Sequence, residues 1–126
     1  MTDPQAPPIT EAMAAPAAAR AAEEALRQAV HASWDGIGTA ADVYTVFGVV
    51  GYSLELMPQL LDQLTTWLEK HAGSLDVTDA GGGTAADRIA EIRAAVTAAS
   101  ETIDVGRTRV AAAQATLAPV FGPVAS

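Results

Sequence analysis

The sequence predicts an all-α fold: an antiparallel hairpin of two long helices, with a shorter N-terminal helix completing a three-helix bundle. Three observations carry that expectation. Bulky apolar residues recur at alternating steps of four and three over two long stretches, the spacing of a coiled-coil seam. The pentapeptide Gly-Thr-Ala-Ala-Asp occurs twice, at 38–42 and 83–87, each time just before one of those stretches. Half of the 126 residues are hydrophobic, but Ala inflates that share. Ala favours helix, and Val, Ile and Thr nowhere alternate with polar residues over a useful length, so strands are not expected.

Residues 1–9 carry Pro4, Pro7 and Pro8 and read as a disordered tail ahead of a single helical domain at 10–122, with a second tail at 123–126. The opening stretch has no basic region before an apolar core, so no Sec signal peptide is expected. The first helix is expected over 17–34: Thr10 offers an earlier cap, but Pro16 limits that start. Leu26, Val30 and Trp34 share one side of it with Ala19 and Ala22. Gly36 and Gly38 then permit a tight reversal.

The second helix is expected over 39–71. Thr39 suits the N-cap, and Asp42 meets the unpaired N–H groups of the first turn. Asp stands where a capping box carries Glu, which leaves the reciprocal bond open. The seam is Val43, Phe47, Val50, Leu54, Met57, Leu61, Leu64 and Leu68. A second row, Val46, Val49, Ser53, Leu56, Leu60, Gln63 and Trp67, widens the apolar face beyond half the circumference, as a helix with two neighbours would need. Pro58 lies inside this pattern; unbroken register favours a kink over a break. Residues 72–83 form a linker ending in three glycines.

The third helix is expected over 84–118, again from a Thr cap with Asp three positions on. Its seam is Ile89, Ile92, Val96, Ala99, Ile103, Gly106, Val110, Ala113 and Leu117, ended by Pro119 and Pro123. Small residues at 99, 106 and 113 predict close approach of the backbones. Antiparallel pairing would set Glu69 near Arg88, and Glu55 near Arg107 or Arg109. The repeated pentapeptide is one capping instruction issued twice, because the helices it opens differ in composition and seam residues.

The net charge of −8, from 15 acids and 7 bases, opposes direct nucleic-acid binding and docking on anionic membranes. Without Cys there is no disulfide, thiolate zinc site or cysteine nucleophile. The most apolar window, 43–61, contains Glu55, Pro58 and Gln59 and makes a poor membrane span.

Chemistry-bearing patterns are thin. His31, Ser33 and Asp35 hold the residue types of a hydrolytic triad, but within five residues of a helix exit their side chains diverge. His71 stands apart from His31, and no metal-binding pair of histidines occurs. Asp76–Gly81 lacks the alternating oxygen donors of a calcium loop. Gly81-Gly82-Gly83-Thr84 precedes a helix but has no Lys to hold phosphate. No catalytic, cofactor-binding or metal-ligating residue is expected, and the chain reads as a non-enzyme.

The one surface the sequence singles out lies opposite the wide seam of the second helix: Tyr44, Gly48, Gly51, Tyr52, Glu55, Pro58 and Gln59. A glycine inside a helix costs about 1 kcal/mol relative to Ala, a cost consistent with close approach by a partner. The competing reading is that these residues bend the helix around a neighbour.

Trp34-Asp35-Gly36, between two helices, resembles the WXG turn of the small helical-hairpin proteins exported by type VII secretion. That resemblance implies export as a helical dimer. It covers three residues; the family's tail signal, Tyr followed four positions later by an acid, is absent, since Gly48 follows Tyr44 and Leu56 follows Tyr52. The Ala-rich, acidic texture around the second helix resembles small uncharacterised helical proteins of actinomycete mobile elements, which implies a cytoplasmic accessory role.

The expected function is therefore a non-enzymatic, self-associating interaction or scaffold protein. Its partner is another protein or a second copy in a homo-oligomer, with membrane contact disfavoured. Alternatives are an exported WXG-like substrate, secreted without a Sec signal, a peripheral membrane protein using Val46–Val50, and an acidic decoy for a DNA-binding protein.

Overall fold

Three α-helices account for nearly all of the computed structural model, which describes residues 11–78 and 83–120. The tails expected at 1–9 and 123–126, and Gly81 and Gly82 of the linker, lie outside the described residues. The chain divides into two units, Met1–Gly38 and Thr39–Ser126.

In the first unit, α1 spans Glu11–Ala32. It begins six residues before the expected start at 17 and ends two before 34. Pro16 is inside it rather than at its boundary. The proline removes one backbone bond, and the Ala-rich turns on both sides supply the propensity that carries the helix past it. On its exposed surface Arg27 pairs with Glu23 one turn earlier, at 2.6 Å. The exit is a turn over Ser33–Asp35. Gly36 N–H donates to the Ala32 carbonyl at 2.7 Å, and a Cβ on Gly36 would fall 2.5 Å from that oxygen, so only glycine fits. Trp34, in this turn, is 84% exposed.

The second unit is a hairpin of α2, Ala40–His71, and α3, Ala85–Leu117. Both begin with a complete capping box. Thr39 Oγ1 accepts from Asp42 N at 3.2 Å, and Asp42 Oδ2 accepts from Thr39 N at 3.2 Å. Thr84 and Asp87 repeat the arrangement at 3.1 Å in both directions. Asp therefore closes the reciprocal bond that Glu usually makes. Pro58 neither ends nor restarts α2, which is continuous through it. At the turn, a 3-10 segment, Ala72–Ser74, extends α2, and Gly83 adopts φ 83°, the left-handed region, just before the second cap.

α2 and α3 pack antiparallel, but not on the seam the heptads predict. In α2, Phe47, Leu54, Leu61 and Leu68 face α3 as expected, while their seam partners Met57 and Leu64 are exposed. The positions that complete the contact are one residue further on: Gly51, Pro58, Thr65 and Ala72. The same displacement occurs in α3. Ile89, Val96, Ile103, Val110 and Leu117 turn inward with Arg93, Ser100, Arg107 and Gln114, whereas Ile92, Ala99 and Ala113 point outward. In heptad terms the hairpin closes chiefly on a and e, with only Val43, Val50 and Gly106 half-buried among the expected d positions. Small residues at the e positions of α2 leave room for long polar side chains at the e positions of α3. Those side chains fasten the two helices together.

Little is hidden by this pairing. Among the described residues, Ile89 is the buried apolar side chain, at 6% exposure, and Thr65 the buried polar one, at 1%. Thr65 Oγ1 is satisfied by donating to the Leu61 carbonyl at 2.8 Å.

Candidate functional site

Rotation by 100° per residue places the side chains of the hairpin on two opposed faces. The first face is polar and is organised by Arg93. Its guanidinium grips Glu69 with both Nε, at 3.1 Å, and Nη2, at 2.8 Å. Nη1 donates to Asp62 at 2.8 Å, and Nη2 also reaches Thr66 Oγ1 at 3.3 Å. One arginine thus spans two acids seven residues apart on α2. Hydrogen bonds from Arg93 hold the Glu69 carboxyl below its ordinary value of 4.5, and the two acids raise Arg93 in turn. This clamp replaces the expected pairing of Glu69 with Arg88. Arg107 lies across the hairpin from Glu55, as the register predicts, and its ion pair is with Asp104 on its own helix at 2.9 Å.

Further along the same face, Gln114 Nε2 donates to the Tyr44 carbonyl at 3.1 Å. Gly48 makes that reach possible, because a Cβ there would lie 2.8 Å from the amide nitrogen. Around this bond is an open cleft of about 340 Å³. Tyr44, Gly48, Gly51, Tyr52 and Glu55 line it from α2, with Arg107, Ala111 and Gln114 opposite.

The seven residues singled out in the sequence are thereby separated. Five share the cleft. Pro58 faces α3 beside Asp62 and Arg93, in a different depression, and Gln59 is exposed. They do not form one free surface opposite the helix contact, because α3 packs on that flank of α2. Gly48 serves close approach by α3. Gly51 has open space where a Cβ would stand, so no steric need for glycine is found there.

The second face is apolar and consists largely of residues expected in the core. Val46, Val49, Leu56, Leu60 and Trp67 are exposed, joined by Met57 and Leu64. Leu56 is 60% exposed and Trp67 52%. At its end Trp67 stacks on His71, with ring centroids 4.2 Å apart, and His71 Nδ1 lies 2.8 Å from the Trp67 carbonyl, which requires a proton on that nitrogen. Between Val43 and Trp67 the only charged residues are Glu55 and Asp62, both on the polar face. Antiparallel packing brings the exposed Ile92, Ala99 and Ala113 of α3, with half-buried Gly106 in the same row, to the same side as this apolar ridge.

Two features escaped the sequence reading. The clamp had a signal: an arginine at an e position can face two acids spaced by seven. The exposure of the ridge had none, since its residue types are those of a core.

Elsewhere chemistry is sparse. The Ser33 hydroxyl donates to the Val30 carbonyl at 2.8 Å, which engages it with its own helix. Among the described residues no group of three or more His, Cys, Asp or Glu is placed to hold a metal ion, and no helix is long and apolar enough to cross a membrane.

No protein-family model, curated protein or solved structure matches the chain.

Proposed function

We propose that the chain is a non-enzymatic helical interaction protein, a scaffold that docks helical surfaces, its own copies among them, through the apolar face of the α2/α3 hairpin. One observation carries this reading: seven large apolar side chains stand exposed on a face of α2 without charge, in a chain of net charge −8. Monomeric proteins rarely expose contiguous apolar patches above roughly 300–600 Å², and larger ones mark interaction sites. Charge is kept from the ridge but crowded on the opposite face, as expected of a surface that works covered.

The polar cleft is a weaker candidate. It is open, its arginine is already paired with Asp104, and its glutamine is spent on the Tyr44 carbonyl.

The test is sedimentation of the wild type and of a Leu60→Glu, Leu64→Glu double variant, each alone and in a native lysate. Both sites are exposed, so the hairpin should keep its helicity by circular dichroism. The wild type is expected to run in assemblies larger than one chain and the variant as a single chain. A wild type that runs as a single chain in both settings would end the proposal.

A further inference from the structure

We infer that the occupant of the apolar face is a second copy of this chain, with the α2 ridge of each copy lying in the small-residue trough along α3 of the other. The two hairpins then form an antiparallel four-helix bundle. This deepens the reading above and rests on it.

A two-fold interface brings one patch against itself, so a protrusion and the recess that takes it must lie side by side on the same face. The hairpin meets that requirement. α2 contributes Val49, Leu56, Leu60 and Leu64, and α3 contributes Ala99, Gly106 and Ala113 at seven-residue steps. Ridge and trough are level with one another. The ridge runs from Val46 to Trp67 and the trough from Ile92 to Ala113, and the antiparallel clamp of Arg93 on Glu69 sets the two spans alongside. Each is about 30 Å long.

A two-fold axis parallel to the helices places α2 of one copy over α3 of the other at unchanged height. Leu60 of one copy then lies against Ala99 of the other, and Trp67 against Ile92. Every adjacent pair of helices in the resulting square is antiparallel, the arrangement of simple four-helix bundles.

Area and charge agree with this occupant. The exposed apolar surface of the ridge is on the order of 700 Å², close to the ~800 Å² per partner of a stable interface before the trough is counted. Two chains of net charge −8 repel, yet on this face they meet without burying an acid, because Glu55, Asp62 and Glu69 lie on the other side. A basic partner would find no acid here, and would meet Arg109 at the border of the trough.

The experiment measures mass by light scattering across a dilution series. A Cβ on Gly106 meets nothing within 4 Å, so Gly106→Leu can start into the trough without a clash at Cβ, and circular dichroism checks that the hairpin is retained. The wild type should be a dimer, and Gly106→Leu should weaken it at least tenfold with helicity retained. Ala94→Leu, an exposed site on the polar side of α3, should leave it unchanged. Because the chain has no Cys, chains carrying Leu60→Cys should cross-link to chains carrying Ala99→Cys under mild oxidation. A dimer indifferent to Gly106→Leu, or one in which Leu60→Cys chains cross-link only to each other, overturns this arrangement and leaves the docking reading standing. A wild type that is a single chain alone but binds another helical protein through the ridge does the same. A wild type that is a single chain and binds nothing overturns both.

Discussion

The two faces that α2 presents invert what their residues suggest. Towards α3 it offers Gly51, Pro58 and Thr65 interleaved with Leu54, Leu61 and Leu68. Outward it offers Val49, Leu56, Leu60, Leu64 and Trp67. By bulk alone the second set should be the interior. The difference teaches that side-chain size sets how much surface needs covering, while backbone access and polar clamps choose the first neighbour. Gly48 and the buried Thr65 mark where α3 comes closest, and Arg93 and Gln114 lock it there. The larger residues are left exposed.

The sharpest way to break that contrast is to truncate one residue from each set. Ile89→Ala should cost about 3 kcal/mol of hairpin stability, because Ile89 is the buried apolar side chain against α2. Leu56→Ala should cost less than about 1 kcal/mol in dilute solution, since that side chain is 60% exposed, and should weaken only concentration-dependent assembly. Denaturant unfolding at low and high protein concentration separates the two. Equal losses at every concentration would erase the distinction between the faces.

Thr65→Leu is the next largest. The heptad pattern alone makes a leucine in this region an improvement. With Thr65 1% exposed against α3, the larger side chain overpacks the contact, and a loss of roughly 1–3 kcal/mol is expected by thermal or denaturant unfolding. A gain in stability would show that the helices do not approach as closely as described.

Acid gives the smallest effect. Glu69 is held below its ordinary 4.5 by hydrogen bonds from Arg93, and Asp87 below 3.8 by the Thr84 backbone N–H and hydroxyl. A carboxylate with a lowered folded-state value contributes stability that is full above its ordinary value and lost as pH falls through the folded one. The hairpin should hold steady above about pH 5.5 and weaken progressively below about pH 4.5. Glu69→Gln should flatten part of that decline in an acid titration followed by helicity. An unchanged profile would place the acid-sensitive groups elsewhere.

These contrasts also mark what was legible beforehand. Both caps were, because Thr and Asp three residues apart satisfy the same orphan donors wherever they precede a helix. The a positions of both seams were legible, as was the antiparallel order. The d positions were not: Met57, Leu64 and Ile92 fit a seam as well as any residue, and nothing local says that Pro58, Thr65 and Arg93 displace them. Of the seven candidate surface residues, five were grouped correctly as neighbours, yet α3 packs on the flank they were meant to offer a partner. The start of α1 was misjudged because Pro16 was weighed as a boundary, whereas the alanines around it sustain the helix.

By itself the sequence determined the helices, their caps, the turns between them and the segregation of charge along α2, since each depends on interactions within about four residues. Which side of α2 meets α3 was decided only in the tertiary structure. An apolar face wider than one neighbour can cover has several equivalent ways to pack. Close approach at small residues and the reach of Arg93 and Gln114, contacts between residues 24 to 70 positions apart, select one of them.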